Sequence, residues 1–384
     1  MRVLITTDVI GGVWNFTLTL VERLRASGCE CLVAMIGQPQ QEQLDALPAD
    51  VDHESRDLRL EWMEGADEDV AATADWLDEL VRRWRPDVLH LNQFAYAARD
   101  YGVPKLVVAH SDVRSWWGEV KGTDADAAWD EYSRRVREGL DGADCVVAPT
   151  AYQSGLLARH YGRFADRVIH NGIELGAARG REAPSRRPLI VTAGRAWDEA
   201  KSVATLDEAL ELLGDDAPVA ELAGELEGPD GRTYVPRRLL PLGQLTIAQM
   251  ERLYDNAAMY VATSVYEPFG LAPLEATRHG CALVLSDIGS FRDLWHGCAE
   301  FYSAGNPASL AGALRRMFEV PERIDELARL ARERAAERYT AGLMAARYQE
   351  LYATLVEHGG FPRVVRSGIE AAPPAPAPAP EAAS

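Results

Sequence analysis

The segment YEPFGLAPLEA, residues 266–276, places Glu267 in a loop tightened by Pro268 and Gly270, and Glu275 a turn or two inside the helix that LAPLEATRHG begins. The free amides of such a helix start, here at Phe269, Gly270 and Leu271, suit a bound anion or the hydroxyls of a sugar. A carboxylate at each end of the segment can hold further hydroxyls, those of a sugar and of a ribose. Taken alone, the same string is also an ordinary proline-led helix start with one acid at its entrance, stabilised by the helix dipole. Upstream, GRAWDEAK, residues 194–201, follows the apolar run PLIVTA and brings Arg195 and Lys201 to a strand end. An arginine makes a forked contact with a diphosphate and a lysine supplies a point charge. Such charges act most where a leaving group grows more negative in the transition state. Without a partner motif, the pair is equally two surface cations beside Asp198 and Glu199.

Weaker signals lie in the first half. Gly11 and Gly12 follow the first apolar run and precede a helical pattern. Glycines there let the backbone approach a ligand with no Cβ in the way, although most glycine pairs only shape a turn. His110 closes the run KLVVA and is followed by Asp112, Arg114, Trp116 and Trp117, whose indoles and polar groups could form an acceptor platform. His90 and Thr150 also stand near the ends of apolar runs. A lone histidine is more often a satisfied structural residue than a catalyst, and two adjacent tryptophans are more often divided between core and surface.

The elements that must position these residues are legible as alternating strands and helices. RVLITTDV, VWNFTLTLVERLRASG and ECLVAMIG make a strand, an amphipathic helix and a strand, which is a βαβ opening for a parallel sheet. PDVLHLN, PKLVVAH and ADCVVAPT have the continuous apolar look of strands buried on both faces. The carboxyl ends of such strands line the ligand crevice of an open α/β sheet. A Gly, Pro and Arg-rich stretch, GAARGREAPSRRP, then separates a second series: PLIVTA, KSVATLDEALELLG, PVAELAG, TIAQMERLYDNA and MYVATS. The predicted fold class is α/β, with two facing Rossmann-like domains, parallel sheets and a cleft between them. The expected divisions are a first domain at 1–175, a linker at 176–187, a second domain at 188–340, a helix at 341–358 and a Pro/Ala tail at 359–384. The tail has no apolar face and is expected to be disordered.

Composition narrows the function. With 384 residues and 47% hydrophobic content, the chain suits two domains rather than one core. A formal charge of −19 argues against nucleic acid and anionic lipid as partners. Five cysteines, an odd number without zinc-type spacing, make neither a disulfide framework nor a metal site and point to a reducing cytoplasm. The opening MRVLITTDVIGG reads as a strand rather than a signal peptide, and no apolar run reaches membrane-spanning length. Three Asp-x-Asp strings, at Asp50, Asp67 and Asp124, lie in acidic stretches without a preceding buried strand, so no metal is expected. A nicotinamide dehydrogenase is disfavoured for want of GxGxxG with its following acid.

YEPFGLAPLEA resembles the Glu, seven residues, Glu motif of the large retaining glycosyltransferase family 4, whose fold is the two-lobed GT-B fold. The resemblance spans roughly residues 1–358. It implies that Glu267 binds hydroxyls of the donor sugar, that the amides of Phe269, Gly270 and Leu271 support sugar and diphosphate, and that Glu275 binds the ribose. It likewise implies that Arg195 and Lys201 contact the β-phosphate. The spacing between those two is one longer than the family's usual five, and Ser202 stands where a glycine is usual. Gly12, and with it Gly11, would reach across to the diphosphate, and His110 would hydrogen-bond the donor sugar. His90 and the run Asp112 to Trp117 would lie on the acceptor side. SDIGSFRDL keeps only Gly289 of the family's glycine pair and has Asp293 where glutamate is usual. HNGIE, residues 170–174, resembles the segment that ends the first lobe.

The activity implied is that of a hexosyltransferase in carbohydrate or glycoconjugate biosynthesis. It would take a nucleotide-diphosphate sugar, UDP- or GDP-type, and pass the sugar to a hydroxyl acceptor with retention, by front-face substitution and without a cofactor. A nucleotide-sugar epimerase or a phosphorylase can use the same shell, and a catalytically silent nucleotide-sugar binder is the non-enzyme alternative.

Overall fold

The computed structural model describes residues 1–176, 189–229 and 231–359. The expected linker and tail therefore fall almost wholly outside the described residues. Seven strands form the first sheet: β1 (Arg2–Asp8), β2 (Glu30–Ile36), β3 (Asp52–Arg56), β4 (Val88–Leu91), β5 (Lys105–Val108), β6 (Cys145–Ala148) and β7 (Arg167–Val168). All pair in parallel, in the order β3-β2-β1-β4-β5-β6-β7. The helices between them are α1 (Gly12–Ala26), α2 (Gln41–Ala46), α3 (Asp67–Trp84), α4 (Val113–Lys121), α5 (Asp130–Gly142) and α6 (Ala151–Tyr161). The apolar runs of β4, β5 and β6 are buried along their whole length, as strands covered by helices on both faces must be.

A second parallel sheet has six strands: β8 (Ile190–Ala193), β9 (Ala220–Ala223), β10 (Leu240–Gly243), β11 (Met259–Ala262), β12 (Ala282–Ser286) and β13 (Glu300–Tyr302). Their order is β10-β9-β8-β11-β12-β13. Its helices are α7 (Ala204–Leu213), α8 (Ile247–Asn256), α9 (Leu271–Arg278), α10 (Gly289–Trp295), α11 (Pro307–Glu319) and α12 (Pro321–Arg338). In each sheet the winding reverses once, between β1 and β4 in the first and between β8 and β11 in the second. A crevice opens at such a reversal, outside the carboxyl ends of the two strands. Gly11 and Gly12 follow β1, Arg195 follows β8, and Glu267 follows β11, so the two reversals collect most of the chemically suggestive residues.

The last helix among the described residues, α13 (Ala341–His358), follows α12 in sequence yet belongs to the other lobe. Met344, Tyr348, Leu351, Tyr352 and Leu355 are buried in the core that Val3, Ile5 and Leu20 begin, while α12 contributes Leu327 and Ala328 to the core of the second sheet. The crossing is tight. Thr340 caps α13 by accepting a hydrogen bond from Leu343 N at 3.1 Å, and the backbone of HNGIE runs so close that a Cβ on Gly172 would stand 2.3 Å from Thr340 O.

Candidate active site

The side expected to hold the donor is built from two loops of the second sheet. Lys201 ends the short turn after β8, Glu267 lies between β11 and α9, and the Lys201 ammonium pairs with the Glu267 carboxylate. The backbones behind them are zipped together: Thr263 Oγ1 donates to Lys201 O at 2.7 Å, and Val265 N donates to Ala200 O at 2.8 Å. Two motifs far apart in sequence thus become one acid–base pair at a strand reversal. Arg195 stands exposed at the rim, held by Asp198 Oδ2 at 2.8 Å and lying 5.2 Å from the Trp197 ring centre.

The start of α9 faces this pair. Gly270 has φ +88°, and a Cβ there would meet the Phe291 ring at 2.9 Å, so both conformation and space demand glycine. The Phe269 side chain is buried against His170 and Tyr339, which leaves only its backbone to serve a ligand. Leu271 opens the helix, and a Cβ on Gly12 would stand 3.9 Å from Leu271 Cδ1. The first glycine loop therefore reaches α9 across the cleft, with Gly11 beside it at φ +70° and open space around it.

Glu275 lies in the second turn of α9, and burial pushes its carboxyl up to about 7, against the opposing pull of Arg278. A carboxylate accepts ribose hydroxyls better than a carboxylic acid does. If Glu275 holds the ribose, donor binding favours the ionised form, and donor affinity should rise with pH through the region of about 7. A gain on the order of tenfold between pH 6 and pH 8 is expected for wild type, and a flat profile for Glu275→Gln. Binding titrations at three pH values check this; equal slopes in the two proteins would remove Glu275 from the ribose.

On the opposite lobe, His110 follows β5 and its Nε2 lies 2.8 Å from Asn92 Oδ1. The Asn92 amide donates to Thr6 O at 2.7 Å and to Thr17 Oγ1 at 3.2 Å, so its oxygen is the acceptor and His110 Nε2 carries the proton. Burial pushes the imidazole down to about 3, and the neutral ring leaves Nδ1 as an acceptor for a hydroxyl. Asn92, which holds His110 in this tautomer, is not singled out by the sequence reading. The signal was its place in PDVLHLN: β4 ends at Leu91, so Asn92 is the first residue beyond the strand, whereas His90 is inside it.

Several acceptor-side expectations are corrected. His90 is wholly buried, its Nδ1 2.6 Å from the Tyr352 hydroxyl and its ring against Phe16 and Tyr348; it joins α13 to the sheet. Asp112 is buried as the cap of α4, accepting from Ser115 N, Ser115 Oγ, Gln153 Nε2 and Tyr161 OH. No lone pair is left for an acceptor. Arg114 donates to Ser133 Oγ at 2.9 Å and lies over Tyr161, toward α5 rather than the second lobe. Trp116 is taken up between the lobes with Leu156, Ala200 and Tyr266, and Trp117 sits edge-on to it at 6.1 Å. They form no common platform.

Contacts between the lobes were not legible either. Thr150 caps α6, accepting from Gln153 N at 3.1 Å, and its hydroxyl donates to Pro268 O at 2.9 Å. Asp293, in α10, accepts from Tyr152 N at 2.7 Å. Gly289 makes room for the Tyr152 ring, which a Cβ would strike at 2.1 Å.

Comparison with known proteins agrees with this architecture. Residues 10–177 match the sequence model of Glycosyltransferase Family 4, and residues 187–319 that of Glycosyl transferases group 1. The chain is 27% identical over 289 residues to alpha-maltose-1-phosphate synthase of Mycolicibacterium smegmatis, covering 66% of this chain and 73% of that protein. It is 28% identical over 295 residues to glycogen synthase of Mycobacterium tuberculosis, covering 71% and 69%. Among solved structures, Anabaena Alr3699/HepE in complex with UDP and glucose superimposes with a TM-score of 0.71 at 17% identity, over 92% of this chain and all of that one; at that identity the likeness is one of fold.

Proposed function

The chain belongs to the group 1 glycosyl transferases of glycosyltransferase family 4 and is a glycosyltransferase, and from that premise we propose a metal-independent transfer of sugar from a nucleotide diphosphate to a hydroxyl acceptor with retention at the anomeric carbon. The observation that carries this reading is the convergence on one cleft of the Lys201–Glu267 pair and the α9 start from one lobe, with the Gly12 loop from the other. A nucleotide diphosphate laid against α9 would meet amides and two cations at its leaving end. The sugar would lie between Glu267 and the neutral His110. As the glycosidic bond breaks, the leaving phosphate gains charge that Arg195 and Lys201 offset. No carboxylate of these motifs is offered to the opposite face of the sugar as a nucleophile, which favours arrival of the acceptor on the face the phosphate leaves.

UDP-glucose leads the donors to test, because the Anabaena protein was solved with UDP and glucose. The names of the curated relatives bring α-glucans and sugar phosphates into the acceptor panel. None of the five cysteines forms a disulfide, which fits the proposed cytoplasmic setting, and no helix among the described residues is long and apolar enough to cross a membrane.

The test combines binding and turnover. A thermal-shift panel of UDP-, GDP-, ADP-, CMP- and dTDP-sugars should single out one nucleotide, since a ligand that binds only the native state raises the melting temperature. Release of that nucleoside diphosphate should then depend on an added acceptor and persist in excess EDTA. Conversion of the nucleotide sugar without any acceptor would point to an epimerase, and loss of turnover in EDTA with recovery on adding Mg²⁺ or Mn²⁺ would overturn the charge assignment to Arg195 and Lys201.

A further inference from the structure

We propose that Tyr266 is a positioning residue that sets the His110 loop of one lobe against the Glu267 loop of the other. Tyr266 immediately precedes Glu267, yet its side chain is buried, 4% exposed, and crosses to the first lobe. Its hydroxyl lies 3.0 Å from Ser111 Oγ, beside His110, and donates to Gln153 Oε1 at 3.3 Å. Gln153 Nε2 donates in turn to Asp112 Oδ2 at 3.2 Å, and Asp112 caps the helix that the His110 loop enters. The directions agree throughout: Ser111 donates to Tyr266, Tyr266 to Gln153, and Gln153 to Asp112. One phenol thus ties together the residues next to the two side chains assigned to the donor sugar, and rests on that assignment for its catalytic consequence.

Other ties between the lobes avoid Ser111: Thr150 to Pro268 and Asp293 to Tyr152 hold α6, and Lys121, at the far end of α4, pairs with Glu199. Removing the Tyr266 hydroxyl should therefore leave the lobes together and loosen the His110 loop at Ser111, ahead of the part of α4 that Trp116 and Lys121 still hold. Two groups that must close on one ring tolerate little error, and a misplacement near 1 Å can cost about a hundredfold in rate.

Two measurements test this in the full chain. Amide hydrogen exchange, without any donor, should show faster exchange at residues 110–116 in Tyr266→Phe, with α9 as protected as in wild type. Ser111→Ala, which cuts the same link from the other lobe and keeps the buried phenol, should reproduce it. Unchanged exchange at 110–116 in both variants would overturn the proposal. In turnover, Tyr266→Phe should lower kcat by about tenfold or more, with affinity for UDP, GDP or ADP, whichever binds wild type best, unchanged within a few-fold. In a His110→Ala background the same change should cost almost nothing more. An equal loss in both backgrounds would show that Tyr266 does not act through His110. The exchange arm needs no reaction, so a wild-type chain that fails to transfer sugar would overturn the functional reading while exchange still decides the link.

Discussion

Arg195→Ala and Lys201→Ala are each expected to lower kcat by about a hundredfold or more, the scale of losing one preorganised electrostatic donor. The bound donor already carries its diphosphate charge, but bond cleavage adds to it, so a cation there stabilises the transition state more than the bound state. The two variants should differ in stability. Arg195 is exposed, with Asp198 and the Trp197 face to hold it among the described residues, and its loss should leave the melting temperature near wild type. Lys201 pairs with a half-buried Glu267, their side chains 24% and 19% exposed, and its removal leaves that carboxylate without its partner. Lys201→Ala should therefore melt earlier than Arg195→Ala while losing turnover on a similar scale. Steady-state kinetics on folded protein decide the matter. If both variants turn over like wild type, the diphosphate is not held here.

That Arg195, Lys201 and Glu267 stand beyond strand ends was legible in the sequence because the turns that carry them follow continuous apolar runs, and strand ends are where a parallel sheet delivers side chains to a cleft; Glu275 was placed by the helix pattern of LAPLEATRHG. The same rule misassigned His90. The apolar run PDVLHLN marks a strand but not which of its residues is the first beyond the sheet, and side-chain direction alternates at every residue of a strand. His90 falls inside β4 and points into the core, and Asn92, the first residue past it, orients His110. What covers His90 is Tyr352, which is 262 positions away, and no local pattern reveals such a partner. Asp112 shows a second limit. An acid after a strand and before a helix is as good a helix cap as a ligand, and here the cap takes all its hydrogen bonds. The contacts of Tyr266, Thr150 and Asp293 lie between lobes, and local periodicity carries no information about how two lobes meet.

Truncation before Tyr348 is expected to abolish a stable first lobe. It would strip Tyr348, Leu351, Tyr352 and Leu355 from the core, all but Leu351 fully enclosed. Emptying a single large buried side chain costs about 2–5 kcal/mol, against a total stability of about 5–15 kcal/mol for a typical domain, so four together exceed what the lobe can lose. The cut also leaves His90 Nδ1 without the Tyr352 hydroxyl, in a site where His90 Nε2 and the Tyr348 hydroxyl already have no hydrogen-bond partner among the described residues, and an unpaired buried polar group adds to the cost. Cutting at Ala371 removes instead a stretch with no apolar face, and should leave melting temperature and turnover near wild type. Expression, circular dichroism and thermal melts of the two truncates separate these outcomes. A soluble, active protein ending at residue 347 would mean that α13 is not needed to close the first lobe, and with it the account of His90 as a structural residue would fall.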